Sequence, residues 1–323
     1  MSTQNYPAVS VVLPILNEAR DLQECISAIL QQDYDGQLEV ILALGPSIDN
    51  TNQIAELIAK TDSRIKLVNN PTGKTATALN LAIAAASSEI ICRIDGHTEI
   101  SKSYIKTAVE IMLQTGAVNV GGLMNASANS GFQSVVAKAM RSRIGVGASK
   151  FHTGGEAGPA DTVYLGTFKK SAILQAGGFN EKYIRAQDWE LNHRLRLNGG
   201  VIWFDPKLVV TYRPRDTFSK LAKQYFEYGR WRRAVSREHR GTVNYRYLAP
   251  PIALVINLLS LILGFLISSI FFIPILTYLS AIFLSSLFIG TDIYEKFTLP
   301  SVLITMHMSW GLGFLTSPKN LIN

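Results

Sequence analysis

VSVVLPILNEARDLQECISAILQQ, residues 9–32, decides the fold. Residues 9–13 form a short apolar run without alternation, as a strand buried on both faces requires, and Pro14 ends it. After the polar Asn17-Glu18, the residues Leu22, Ile26, Ile29 and Leu30 recur at helical spacing. Outward from this unit the same alternation repeats. Residues 38–44 read as a second strand, and 49–60 as a helix with Asp49 or Asn50 as N-cap. Residues 65–68 read as a third strand and 74–86 as a helix rich in Ala and Leu. Residues 89–94 read as a fourth strand that stops at Asp95-Gly96-His97, and 101–114 as another helix. The order predicts an α/β fold, a mostly parallel sheet flanked by helices. Ligands of such sheets bind beyond the carboxyl ends of the strands. Residues 14–18, 45–50, 70–74 and 95–97 are therefore expected to converge on one crevice. Residues 116–166 are Gly-rich and read as irregular, with long loops at 125–131 and 149–160. A helix is expected at 188–197 and a strand at 201–204.

The apolar residues, 47% of the chain, are unevenly spread. No charged side chain occurs from Tyr247 to Thr291. That stretch is too long for one crossing at about 20 residues, and Pro274 interrupts it. Two antiparallel membrane helices are expected, at 250–269 and 272–289, with Pro250 and Pro251 in a first helical turn. Residues 298–316 read as a third span or an interfacial segment with Trp310 at headgroup depth. The net charge of +7 is concentrated just before the apolar run, in Arg213, Arg215, Lys220, Lys223, Arg230, Arg232, Arg233, Arg237, Arg240 and Arg246. Positive charge beside a span marks the cytoplasmic side and meets anionic headgroups. Neither a zinc spacing nor a nucleic-acid-binding motif is found, so the expected partner is a membrane and not a nucleic acid. The opening MSTQNYPAVS has no basic stretch followed by an apolar one, so the catalytic part is expected in the cytoplasm. Cys25 and Cys92 lie in apolar-periodic segments and read as buried thiols. Four regions are expected: a catalytic domain (1–212), a basic amphipathic interfacial segment (213–247), a transmembrane hairpin (248–290), and a C-terminal interfacial segment or third helix (291–323).

Four groups carry candidate chemistry. Asp95, at the end of a central strand beside Gly96, suits a divalent cation on a diphosphate, with His97 as a second ligand; an Asp-Gly pair after a strand is also an ordinary turn. Asp188 suits a general base, which needs a carboxylate within reach of the acceptor hydroxyl; N-capping is its structural alternative. Glu190 competes for the role, but an ion pair with Arg194 accounts for it better. Gly73-Lys74-Thr75 resembles the end of a phosphate loop, but Val68 stands where its first glycine belongs, so no ATPase is expected. Lys74 faces donor phosphate or sugar, or solvent. Residues 224–231, QYFEYGRW, suit an amphipathic interfacial helix in which Arg230 and Trp231 also suit a clamp on a diphosphate.

These stretches resemble a family 2 glycosyltransferase of GT-A fold. The likeness rests on VSVVLPILNEARDLQECISAILQQDY, EIICRIDGHTEI, GTFKKSAILQAGGFNEKYIRAQDWELNHRLRLNGG and QYFEYGRWRR, over about residues 8–235. Within the family it looks closest to bacterial exopolysaccharide enzymes of the succinoglycan-biosynthesis type. The resemblance implies that Pro14, Asn17, Glu18 and Asp49 line the nucleotide pocket. It places Asp95 and His97 at the Asp-x-Asp positions and makes Asp188 the base. It implies Mn²⁺ or Mg²⁺, a nucleotide-sugar donor, and inverting transfer to a lipid-linked or glycan acceptor in cell-surface polysaccharide or glycolipid synthesis. Three departures stand out. Leu44-Gly45-Pro46-Ser47 replaces an acidic stretch, His97 replaces an aspartate, and five residues separate Gln224 from Arg230-Trp231 where processive synthases have Gln-x-x-Arg-Trp. The last implies transfer of single sugars. Two rival readings are a sugar nucleotidyltransferase, which the membrane helices disfavour, and a non-catalytic membrane scaffold, which the retention of both Asp95 and Asp188 disfavours.

Overall fold

The structure is a computed structural model and describes residues 6–128 and 131–322. Residues 129 and 130 of the expected loop at 125–131, and both extreme ends of the chain, lie outside the described residues. The strands are β1 (Val9–Ile15), β2 (Leu38–Leu44), β3 (Ile65–Asn69), β4 (Ile90–Arg93), β5 (Glu99–Ile100), β6 (Asn119–Ala126), β7 (Gly158–Pro159), β8 (Tyr164–Lys169) and β9 (Ile202–Tyr212). The helices of the first half are α1 (Leu22–Leu30), α2 (Thr51–Thr61), α3 (Thr75–Ala85) and α4 (Tyr104–Thr115). Next come α5 (Gly131–Arg141), α6 (Arg143–Val146), α7 (Lys150–Thr153), α8 (Lys170–Gln175) and α9 (Gln187–Leu197). The last are α10 (Phe218–Glu238), α11 (Tyr245–Leu266), α12 (Ile273–Ile289) and α13 (Ile293–Leu315). Contacts divide the chain into two units, residues 1–125 with 154–212, and residues 126–153 with 213–323.

The first unit is built on a sheet of order β3-β2-β1-β4-β8-β6-β9-β5, with β7 on β9. The joins among β3, β2, β1 and β4 are parallel, as the apolar runs predict. Beyond β4 the joins to β8, from β8 to β6, and from β9 to β5 and β7 are antiparallel. Val9, Val11, Leu13, Val40 and Leu42 form the core with Leu22, Ile26 and Ile29 of α1. Both cysteines are buried free thiols. Pro14 lies inside β1, opposite Ala43, and does not end it. The ladder to β4 stops at Val12↔Arg93, so Pro14 has a strand on one side only and its missing N–H orphans no partner.

Much of the Gly-rich middle is strand and helix, with residues 127–128 and 154–157 left as loop. Gly122 in β6 meets β9 so closely that a Cβ would stand 1.8 Å from the Leu208 carbonyl oxygen. Glycine is there for backbone approach, which sequence periodicity cannot distinguish from a turn. β9 runs on past the expected end at Phe204, through Asp205-Pro206-Lys207, to Tyr212.

In the second unit, α10 and α13 pack backbone to backbone. A Cβ on Gly229 would stand 2.0 Å from the Trp310 carbonyl oxygen, and one on Gly313 would stand 2.0 Å from that of Phe226. Residues 126–153, expected within the catalytic domain, belong to this unit. α5 buries Val135, Val136, Ala139 and Met140, and its Lys138 pairs with Glu295 at the start of α13. α11 starts at Tyr245, so Pro250 and Pro251 are inside the helix rather than in its first turn. The segment expected at 298–316 is a helix from Ile293 that buries Leu299, Val302, Leu303 and Met306. Among the described residues, Tyr245–Leu266 and Ser269–Ile289 are long and apolar enough to cross a membrane. Only 17% and 11% of their apolar windows are buried, unlike core helices of a water-soluble protein.

Candidate active site

The loops after β1, β2, β3 and β4 meet, as the parallel half of the sheet requires. Asn17 has a left-handed backbone (φ 56°), which Asn tolerates better than most residues. Its N–H donates to Ser47 Oγ (3.0 Å), and its Oδ1 accepts from the Ile48 N–H (2.8 Å). The Glu18 N–H donates to Thr51 Oγ1 at 2.7 Å, and the Ala19 N–H to Asp49 Oδ2 at 3.3 Å. Asp49 also accepts from the hydroxyl and N–H of Thr51. The Thr51 hydroxyl is the main reason its carboxyl lies below the ordinary value. Gly73, at φ 66°, lies against Pro46, bringing the third loop to the second. The backbone N–H of Lys74 donates to Thr72 Oγ1, and no ion pair to its ammonium occurs among the described residues.

Glu18 and His97, 79 residues apart, are joined through Glu18 Oε1 and His97 Nδ1 at 2.8 Å. This bond is the largest reason the imidazole is raised above its ordinary value, with desolvation opposing. In the neutral ring, an Nδ1–H donated to Glu18 leaves the Nε2 lone pair available to a ligand, the usual arrangement behind a metal-binding histidine. No cluster of three His, Cys, Asp or Glu side chains that could hold a metal ion occurs among the described residues. A cation shared with a diphosphate needs only one or two protein ligands, since phosphate oxygens and water supply the others. The Asp95 carboxylate and His97 Nε2 fit that requirement.

The centre of the site is a residue that the sequence reading passed over. Arg93 ends β4, held between Val12 of β1 and Gly166 of β8. Its side chain is 5% exposed. Nε donates to Asp95 Oδ1 (3.0 Å), Nη2 approaches Asp95 Oδ2 (3.4 Å), and Nη1 pairs closely with Asp188 Oδ1. The two carboxylates singled out by sequence thus share one guanidinium. The signal was legible: a lone cation in the apolar run Ile90–Ile94 must have a buried partner. Asp188 is in the first turn of α9 and is 33% exposed. Ala186 just before it is left-handed (φ 63°), a strained conformation for alanine costing about 1–2 kcal/mol. Desolvation raises the Asp188 carboxyl above its ordinary value, Arg93 opposes the rise, and Asp95 adds to it.

Glu190 is 1% exposed and turned away from that centre. Both of its oxygens accept from Arg194, at 2.7 and 2.6 Å, and Arg194 also donates to the carbonyls of Ala176 and Gly178. This is the ion pair expected of it. Arg230 and Trp231 belong to the second unit, on α10. Arg230 pairs with Glu227 at 2.8 Å and stands over the Phe226 ring. Trp231 is 3% exposed, so stacking on a ligand would require it to leave its packing.

Residues 10–171 match the sequence model described as glycosyl transferase family 2. The chain is 33% identical over 242 residues to the succinoglycan biosynthesis protein ExoA of Rhizobium meliloti, covering 74% of this chain and 73% of that protein. It is 26% identical over 321 residues to the dolichyl N-acetyl-alpha-D-glucosaminyl phosphate 3-beta-D-2,3-diacetamido-2,3-dideoxy-beta-D-glucuronosyltransferase of Methanococcus voltae, covering 95% of each. The mannosyltransferase PcManGT of Pyrobaculum calidifontis, solved with GDP-Man and Mn²⁺, superposes with a TM-score of 0.66 at 20% identity, covering 94% of this chain and 86% of that one.

Proposed function

The chain belongs to glycosyl transferase family 2, and from that premise we propose that it transfers a single sugar, with inversion, from a nucleotide-diphosphate sugar to a hydroxyl acceptor at the cytoplasmic face of the cell membrane. The observation that carries the reading is the pairing of Asp95 and Asp188 through Arg93 at the carboxyl ends of the strands. Asp188 accepts the acceptor's hydroxyl proton as that oxygen attacks the anomeric carbon from the side opposite the diphosphate. The bond from carbon to diphosphate oxygen breaks, and the nucleoside diphosphate leaves with the electron pair. The loops around Pro14, Asn17, Glu18 and Asp49 hold the nucleotide, and Lys74 faces its phosphate or sugar. Asp95 and His97 would hold Mn²⁺ or Mg²⁺, which would supply charge to offset the leaving diphosphate.

The acceptor is lipid-linked or a glycan, and the product belongs to cell-surface polysaccharide or glycolipid synthesis. Two exposed apolar helices and the ten basic residues from Arg213 to Arg246 support a membrane site. The names of the two relatives, one a polysaccharide-biosynthesis protein and one acting on a dolichyl-linked sugar, support the acceptor class.

The test is a panel of nucleotide sugars offered to the detergent-purified protein. Nucleoside diphosphate is released from a small subset, chelator stops the release, and Mn²⁺ or Mg²⁺ restores it. Full turnover in excess chelator removes the cation. Pyrophosphate release from nucleoside triphosphate and sugar phosphate, with no reaction of nucleotide sugars, replaces the reading with a nucleotidyltransferase. Orientation has its own check. A cysteine introduced at position 240 is expected to resist an impermeant thiol reagent applied to intact cells and to react after lysis. Labelling in intact cells reverses the topology.

A further inference from the structure

We propose that Arg93 is the positioning residue of this site, whose planar guanidinium holds the Asp188 carboxylate toward the acceptor and sets its separation from Asp95. The proposal rests on the reading of Asp188 as the base. Three observations carry it. The backbone of Arg93 is set by β4, which is paired on both sides, by β1 and by β8. The side chain is almost fully enclosed and spends its donors on two different carboxylates, Nε and Nη2 on Asp95 and Nη1 on Asp188. Those carboxylates come from separate parts of the chain, 93 residues apart, and Arg93 is the hydrogen-bond partner described for both side chains.

The fold alone does not call for a cation there. The other β4 residues, Ile90, Ile91 and Cys92, are buried and apolar, and ion pairs in such surroundings add little net stability over apolar packing. What a guanidinium adds is geometry. It is rigid and planar, it donates along fixed directions, and its charge persists at any working pH. Asp188 lies at the start of α9 after a strained turn and is partly open to solvent, so its own element does not hold the carboxylate still. Arg93 does so, and it also keeps a positive charge beside a carboxylate that must be ionised to take a proton. One planar group thereby spans the donor end and the acceptor end of the reaction.

Arg93→Lys and Arg93→Met test this. Lysine keeps the charge but gathers it on a single flexible ammonium that cannot reproduce the fork. Arg93→Lys is expected to lower kcat about 10-fold and Arg93→Met at least about 100-fold, the range that general-base assistance covers. Arg93 also holds Asp95 on the donor side, so the dissociation constant for the donor, measured by calorimetry, is expected to rise in both, but by a smaller factor than kcat falls. Should Arg93→Met fail to fold, Arg93→Lys carries the test. The deciding measurement is a double-mutant cycle. In an Asp188→Asn background, where there is no base left to position, Arg93→Lys should cost less than about twofold. If it costs the same factor there as in the native protein, Arg93 does not act through Asp188 and the proposal falls. A loss of donor affinity equal to the loss of kcat also overturns it. If Asp188→Asn alone leaves turnover unchanged, the base reading fails and this one fails with it. A large loss from Asp188→Asn with an additive loss from Arg93→Lys removes only the role of Arg93.

Discussion

Replacing Asp188 by Asn is expected to lower turnover about 10²–10⁴-fold while donor affinity barely changes. Asn has nearly the same shape and can still accept from Arg93, so the substitution removes the proton acceptor and little else. Donor affinity persists because the donor is assigned to Asp95, His97 and the loops after β1 and β2, whereas the hydrogen bond described for the Asp188 side chain goes to Arg93. The reaction should also be lost on acidification at a pH above the ordinary carboxylate range. Desolvation raises the carboxyl, Arg93 only partly opposes it, and Asp95 adds to the rise, so protonation sets in earlier. Steady-state kinetics against pH, with donor binding by calorimetry, check both statements. Equal losses in turnover and donor affinity would move Asp188 from the base to the donor site.

Glu190→Gln is expected to cost about 3 kcal/mol of stability while turnover per folded molecule is largely retained. Asp188 and Glu190 are two residues apart on α9 and therefore point to different faces. The Glu190 carboxylate is buried, with both oxygens on Arg194. Neutralising it leaves the Arg194 charge facing uncharged acceptors, the Gln amide oxygen and the carbonyls of Ala176 and Gly178. Breaking one partner of a buried pair is costly because the remaining charge stays desolvated. Denaturant unfolding, with activity normalised to the folded fraction, separates the two effects. If Glu190→Gln abolishes turnover in a stable protein and Asp188→Asn does not, their roles are exchanged.

The parallel half of the sheet was legible because each of its strands is a continuous apolar run followed by a helical repeat. Its antiparallel half was not. β6 and β9 approach through Gly122, and a glycine chosen for close approach looks the same in sequence as one chosen for a turn. The strand expected to end at Phe204 continues in β9 through Asp205-Pro206 to Tyr212. Within the site, Asp95 and Asp188 stood out as acidic residues at the ends of elements. Arg93 carried a readable signal, a charge inside an apolar strand, but the sequence offered no means of naming its partners.

By itself the sequence determined the α/β alternation, the loops that follow the parallel strands, the basic segment and the uncharged stretch from Tyr247 to Thr291, since all of these are local patterns of apolar and charged residues. It also separated Glu190 from Asp188, because the Arg194 that holds Glu190 is one helical turn away. Only the tertiary structure decided that one guanidinium joins Asp95 to Asp188, that Glu18 orients His97, that residues 126–153 belong with the C-terminal helices, and that the last helix buries a face. Periodicity reports that a face is covered. What covers it is decided by the order in which distant strands and helices come together, and no local pattern encodes that order.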